Sequence, residues 1–366
     1  MERTTQIDEG GESVLIVGNF LSGSVGNRGV CEELADRLRA SGWNVIATSS
    51  RTGRFERLVD MLGTVWRRRR EFQVVQIDVF SGPAFFWAAA VSVLLRALGK
   101  PYVLTLHGGN LPAFSNRWPW ATRLLFRYAS TVTAPSGYLV EAMRRFRPDL
   151  RLLPNAIDLS LYPFRLRRSV RPRLVWLRAF HRIYDPSLAI RVLSLLVPEF
   201  PDVQLLMVGP DKGDGSLQEA LSLAAASGVQ ERVEYSGRVA KSAVADWINR
   251  GDIFLNTSTV DNNPVTILEA MACGACVVST LAGGIPYLAS NGVDSLLTEP
   301  GDADGMAACV AELLRNPELA ASLSLNARRR VEAIDWSNVL PEWQALLRSA
   351  SQQTPLRTEK LRKAVS

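Results

Sequence analysis

The feature that most constrains this chain is an alternation that runs once and then restarts. "SVLIVGNF" (13–20) is an apolar run that ends in a Gly-containing loop. "GVCEELADRLRASG" (29–42) follows with apolar residues at helical spacing and a Gly stop, and "WNVIATSS" (43–50) reads as the next strand. "EFQVVQIDVF" (71–80) and "KPYVLTLHGG" (100–109) continue the series, with helical material between them. Strand, helix and strand in this order build parallel βαβ units. The strands are continuously apolar rather than alternating, as expected of strands covered on both faces. The second series holds the strands "RPRLVWL", "DVQLLMVG", "RVEYSG", "DIFLNTST", "ACVVST" and "SLLTEPG". Between them lie the helical stretches "DPSLAIRVLSLLVPEF", "SLQEALSLAAASG", "KSAVADWINRG", "VTILEAMACG" and "DADGMAACVAELLRN". The chain therefore reads as two α/β domains in tandem. They are joined in "YPFRLRRSVRPR" (162–173), which is rich in Pro and Arg and lacks periodicity.

The length of 366 residues agrees with two domains at about 150 residues each. Four cysteines in such a chain are not a disulfide framework, and the charged start "MERTTQIDEGGES" lacks the apolar core of a signal peptide. A cytoplasmic setting is expected. The formal charge of +6 is unevenly spread: residues 1–172 hold 24 Lys/Arg against 14 Asp/Glu, and residues 173–366 hold 18 against 22. A basic first half suits an anionic surface or substrate, although a merely solvated basic face fits the same count. The apolar run 79–95 falls short of the roughly 20 residues of a membrane span. It is broken by Gly82-Pro83, so it reads as a strand end, a turn and a buried helix.

In open α/β sheets, ligands bind beyond the carboxyl ends of the strands, and the polar residues gather there. The stretch "DNNPVTILEAMACGACVVST" (261–280) follows the strand "DIFLNTST". Its spacing predicts Asn263 as N-cap, Pro264 as first helical residue and Gly274 as the stop. The helix start offers free N–H groups and a positive dipole end to an anion or a sugar's oxygens. Glu269, set among Leu268, Ala270, Met271 and Ala272, is either on a solvated face or held for a purpose such as accepting from two ribose hydroxyls. Cys273 and Cys276 form a C-x-x-C at a helix C-terminus, with no second pair and only two histidines in the chain. They read as small buried residues, and no metal site is expected. Three further loops follow strands. "GNFLSGSVGNRGV" (18–30) is Gly-rich but not a dinucleotide fingerprint. "LHGGN" (106–110) places His107 beside two glycines, and "LRAFHRIYDP" (177–186) holds Arg178, His181 and Arg182 as a phosphate clamp.

These residues resemble the retaining glycosyltransferases of family 4 (glycosyl transferases group 1). Asp261, seven intervening residues, Glu269 and then "AMACGACVVSTLAGG" is similar to that family's second-domain signature. "APSGYLVEAM", "LPNAIDLSLYPF", "VEYSGRV" and "LTEPGD" add to the likeness. The resemblance covers nearly the whole chain and implies the GT-B fold: two facing Rossmann-like domains with a cleft between them and a C-terminal crossover helix, "AIDWSNVLPEWQALL". The implied division is an acceptor-binding domain at 1–168, a nucleotide-sugar-binding domain at 169–335, the crossover helix at 336–350 and a flexible basic tail at 351–366.

The resemblance also implies residue roles. Glu269 holds the donor ribose. Asp261 faces the donor sugar, with Asn262, Asn263 and Pro264 at the helix start nearby. Arg178 stabilises the leaving diphosphate, His107 lies near the donor sugar, and the loop at Gly23 and Gly26 approaches the reaction centre. Three positions depart from the family's pattern. Asp261 stands where Glu is commoner, and Tyr287 stands where Glu is frequent. The lysine expected after Arg178 is replaced near Ile183 or Tyr184, so Arg182 is expected to supply its charge. The implied activity is transfer of a sugar, with retention and without a metal, from a UDP- or GDP-linked donor to a saccharide or lipid-linked saccharide in cell-envelope polysaccharide synthesis. Peripheral contact with an anionic membrane is expected, with Trp118, Trp120 and nearby arginines at the docking edge; nucleic acid is not expected as a partner. A nucleotide-sugar epimerase or hydrolase of the same fold, and a non-catalytic binding subunit, remain alternatives.

Overall fold

A computed structural model describes residues 11–21 and 29–353. The chain forms two compact units. The first comprises residues up to Pro135, then Leu139–Asn155 and the chain from Val339; the second comprises Ser136–Tyr138 and Ala156–Asn338.

The first unit is a parallel six-stranded sheet made of β1 (Ser13–Val17), β2 (Asn44–Thr48), β3 (Val74–Val79), β4 (Tyr102–Leu106), β5 (Thr131–Ala134) and β6 (Arg151–Leu152), in the order β2-β1-β3-β4-β5-β6. β1 and β4 are buried at every residue, as their unbroken apolar runs require. The short strands β5 and β6 carry little periodicity of their own and take their place from pairing with β4 and with each other. The 79–95 run divides as expected: β3 ends at Val79 and a helix spans Pro83–Ala97 with Pro83 in its first turn. Among the described residues no helix is long and apolar enough to cross a membrane. The last helix, Trp336–Gln352, returns to this unit, where Arg348 pairs with Glu12 and Gln344 donates to the Ser41 hydroxyl.

The second unit repeats the architecture with β7 (Arg173–Leu177), β8 (Gln204–Val208), β9 (Val233–Gly237), β10 (Ile253–Asn256), β11 (Cys276–Thr280) and β12 (Leu296–Thr298), in the order β12-β11-β10-β7-β8-β9. All pairs are parallel, and the strand order reverses between β7 and β10, which pair directly. The arginine-rich junction is ordered by one buried acid. Asp252 is fully buried at the start of β10, where Arg165, Arg167 and Arg171 converge on its carboxylate. Arg167 is itself buried and donates to the carbonyls of Cys273 and Gly251. A buried carboxylate needs such partners, because leaving one unpaired costs several kcal/mol.

One local expectation is corrected. The helix of the 261–280 stretch runs Val265–Ala272, so Pro264 rather than Asn263 is its N-cap, with no side-chain hydrogen bond. Pro264 is extended (φ −67°, ψ 103°), and its carbonyl closes the first turn by accepting from the Ile267 N–H at 3.1 Å. Cys273 and Cys276 are both buried as small apolar residues, and burial pushes each thiol up to about 12.

Candidate functional site

The reversal of strand order in the second unit marks where a ligand crevice opens in folds of this kind. The loops after β7 and β10 meet there. Thr257 donates through its hydroxyl to the Tyr184 carbonyl at 2.5 Å, and the Thr259 N–H donates to the Ile183 carbonyl at 2.8 Å. The indole N–H of buried Trp176 donates to the Thr257 hydroxyl at 2.8 Å, which ties this seam to the core.

This closure brings Arg178, at the end of β7, onto Asp261, beyond the end of β10. The two form an ion pair with side chains only 14% and 13% exposed. The Tyr184 ring lies against the guanidinium, 4.5 Å from its centroid. Burial lowers the Arg178 pKa, and the nearby Tyr184 and Glu269 oppose that shift. Arg178 and Glu269 therefore share one electrostatic environment, although they stand far apart in sequence. Two glycines fix the arrangement. Gly209 passes so close to Arg178 that a Cβ would lie 1.8 Å from its carbonyl oxygen. Gly283, at φ +59°, would place a Cβ 2.0 Å from the Asp261 carbonyl, and the Gly284 N–H donates to that same carbonyl at 2.8 Å. Side chains at these glycines would displace the loops that carry the pair.

Glu269 is 2% exposed, which resolves the question its apolar neighbours raised. Its helix is buried from Ile267 to Ala272, so the carboxylate is enclosed rather than solvated. The Tyr162 hydroxyl donates to Oε1 at 2.8 Å, and the Lys241 ammonium pairs with the same oxygen. Asn262 and Asn263 are half-buried beside Asp261, and Pro264 is buried.

Arg182 takes a different direction. Its side chain is 66% exposed and pairs with Glu219 at 2.7 Å, while its backbone N–H donates to Asp214. His181 accepts from the Ile183 N–H through Nδ1 and so caps the 3₁₀ turn Arg182–Tyr184. The expected clamp thus does not converge on one point: Arg178 pairs with Asp261, while His181 Nε2, 3.8 Å from the Asp214 carboxylate, and the Arg182 backbone N–H both face Asp214. Tyr287 is 46% exposed.

In the first unit His107 follows β4 and is 8% exposed. Its Nε2 lies 2.9 Å from Asp78 Oδ1, and its ring stacks on Phe80 with centroids 4.8 Å apart. Gln76 donates to the same Asp78 oxygen and to the Thr105 hydroxyl, each at 2.9 Å. Gly23 and Gly26 lie outside the described residues.

Within the second unit the structure thus assembles Arg178, Asp261 and Glu269 and adds Tyr162, Lys241 and Tyr184, and within the first unit it sets Asp78 beside His107; sequence reasoning named none of these four added residues as a site residue. Tyr162 lies within "LPNAIDLSLYPF", one of the segments that carried the resemblance, so a signal for it existed. Lys241 lies in an exposed turn and had none.

Comparison with known proteins bears on the family and the fold. The family "Glycosyl transferases group 1" matches residues 171–316, and "Glycosyltransferase Family 4" matches residues 28–161. Phosphatidyl-myo-inositol mannosyltransferase of Mycolicibacterium smegmatis is 26% identical over 286 residues, covering 75% of this chain and 70% of that one. N-acetyl-alpha-D-glucosaminyl L-malate synthase of Bacillus anthracis is 28% identical, over 63% of this chain and 62% of its own length. D-inositol 3-phosphate glycosyltransferase of Thermobispora bispora is 28% identical, over 42% of this chain and 37% of its own length. The matches to these last two relatives thus span less than two thirds of each relative. Among solved structures, HepE of Anabaena in complex with UDP and glucose superposes with a TM-score of 0.71 at 20% identity, covering 92% of this chain and all of that one. Sucrose-phosphate synthase of Thermosynechococcus elongatus gives 0.74 at 17% identity, covering 92% and 98%. The two family matches fall one on each unit, and both units carry the parallel sheets of the GT-B fold; the chain belongs to the group 1 glycosyltransferases of family 4.

Proposed function

We propose that the protein is a retaining glycosyltransferase that moves a sugar from a nucleoside diphosphate donor to a saccharide or lipid-linked saccharide acceptor. The observation that carries this reading is the half-buried Arg178–Asp261 pair at the strand-order reversal, with Glu269 in the same electrostatic environment. In this reading the second unit, residues 169–335, binds the donor. Glu269 accepts from the ribose hydroxyls, and Asp261 and the backbone N–H groups of Asn262 and Asn263 meet the transferred sugar. Arg178 stabilises the charge that develops on the departing diphosphate, the place where a fixed cation contributes most. Arg182 reaches the donor only by leaving Glu219. A UDP-linked donor is favoured by the likeness to HepE, whose structures hold UDP and UDP-glucose.

The first unit supplies acceptor binding, with His107 as its catalytic residue. Its basic character and the exposed Trp118 and Trp120 suit peripheral docking on an anionic membrane that presents a lipid-linked acceptor. The lipid named in the mycobacterial relative supports this choice of acceptor class.

A thermal-shift screen over uridine, guanosine and adenosine diphosphates and their sugar conjugates tests the donor reading, since a ligand that binds only the native state raises Tm. One series is expected to stabilise the protein, and no shift from any of the three would reject the reading. Sedimentation with vesicles tests docking, which is expected to need anionic lipid and to weaken with salt.

A further inference from the structure

Two groups hold the Glu269 carboxylate that the motif spacing around it does not specify. Tyr162 follows the 3₁₀ turn Leu159–Leu161, is 5% exposed and donates its hydroxyl to Oε1 at 2.8 Å. Lys241 opens the 3₁₀ turn after β9, and its ammonium pairs with the same oxygen. The lysine side chain is 68% exposed and the glutamate side chain 2%, so the cation reaches inward from the surface to an enclosed acid. Both contacts fall on Oε1 and neither on Oε2.

This asymmetry has a chemical consequence. A carboxylate has about four acceptor directions, two on each oxygen. Two donors on one oxygen fix the rotamer of the carboxylate. The other oxygen keeps its acceptor capacity for hydroxyls from outside. We propose that Tyr162 and Lys241 are positioning residues for nucleotide recognition, holding Glu269 so that Oε2 accepts from the donor's ribose hydroxyls. The proposal rests on the ribose role given to Glu269 above. Lys241 also brings a second cation into the region of Arg178 and Glu269, where the lysine expected after Arg178 is absent.

A purely structural role predicts something different. If the two groups only neutralised a buried charge, removing either would weaken every ligand alike. If they aim Oε2, the loss appears only with ligands that carry the ribose hydroxyls. The test is calorimetric titration of the full-length protein with the tightest-binding of UDP, GDP and ADP and with its 2′-deoxy and 3′-deoxy counterparts. The proteins are wild type, Tyr162→Phe, Lys241→Met, Lys241→Arg and Glu269→Gln, each checked for cooperative thermal unfolding.

Wild type is expected to prefer the ribonucleotide by about tenfold or more, the scale of a hydrogen bond to a charged acceptor. Tyr162→Phe and Lys241→Met should each remove most of that preference by weakening the ribonucleotide alone, and Lys241→Arg should restore it. In turnover the same variants should raise donor KM with kcat within about twofold, the pattern of lost uniform binding. If Glu269→Gln abolishes the preference while Tyr162→Phe and Lys241→Met retain it, or weaken ribo and deoxy ligands equally, the positioning role is refuted and the ribose reading stands. If wild type itself shows no preference, or no nucleotide binds, the ribose reading fails and the inference falls with it.

Discussion

The polar ends of the two sheets solve the same problem in different ways. In the first unit, His107, Asp78, Gln76 and Thr105 form a hydrogen-bonded set beneath a stacked Phe80, with His107 and Asp78 side chains less than a tenth exposed. Each group there is fixed by a neighbour on the same or the adjacent strand. In the second unit the principal partners are opposite charges on loops that meet where strand order reverses, Arg178 on Asp261 beside Tyr184. A hydrogen-bonded set of this kind holds one geometry. A self-paired cation and anion can exchange each other for a ligand's charges. The first arrangement suits orientation of a reacting group, and the second suits binding and release of an anionic leaving group.

Substitutions can break or sharpen that contrast. The largest effect is expected for Arg178→Ala, which removes the cation from the exchangeable pair. With the donor role proposed here, kcat should fall about 100- to 1,000-fold, the usual loss for one preorganised transition-state donor. Steady-state kinetics checks it, and a loss under tenfold would break the assignment. Next comes Asp78→Asn in the fixed network, which keeps the shape but removes the charge that orients His107. Here kcat should fall about tenfold or more with donor KM nearly unchanged, since only geometry and tautomer are disturbed; a KM effect of equal size would mean that the first unit also exchanges partners. Glu269→Gln should raise donor KM by about tenfold with a small change in kcat, measured in the same assay. The smallest effect is expected for Arg182→Ala. Its side chain is two-thirds exposed and pairs with Glu219, and exposed pairs contribute little. A donor KM raised severalfold in that variant would show that Arg182 leaves Glu219 when donor binds, as the sequence comparison with the family suggested.

Much of the architecture was legible because unbroken apolar runs separated by helical spacing have few ways to bury both faces. β1, β4, β7, β8, β10 and β11 follow directly from such runs. The short β5 and β6 were not read as strands, because four and two residues carry too little pattern and depend on neighbouring strands for their backbone partners. The helix start moved from Pro264 to Val265 because a proline with ψ near 103° is still extended, a backbone choice that composition alone does not display.

The site divides along the same line. Residue spacing by itself places Asp261 and Glu269 at the head of one βα unit, and Arg178 at the end of another strand, since these are local relations along the chain. Only the tertiary structure decides that β7 and β10 are neighbours and that their loops meet, so that Arg178 closes on Asp261. It alone also decides that Glu269 is enclosed, that Tyr162 and Lys241 approach a single oxygen of its carboxylate, and that Arg182 turns away to Glu219. The physical reason is that periodicity encodes which face of an element is buried. The partners of a buried charge come from whichever elements the packed sheet sets beside it.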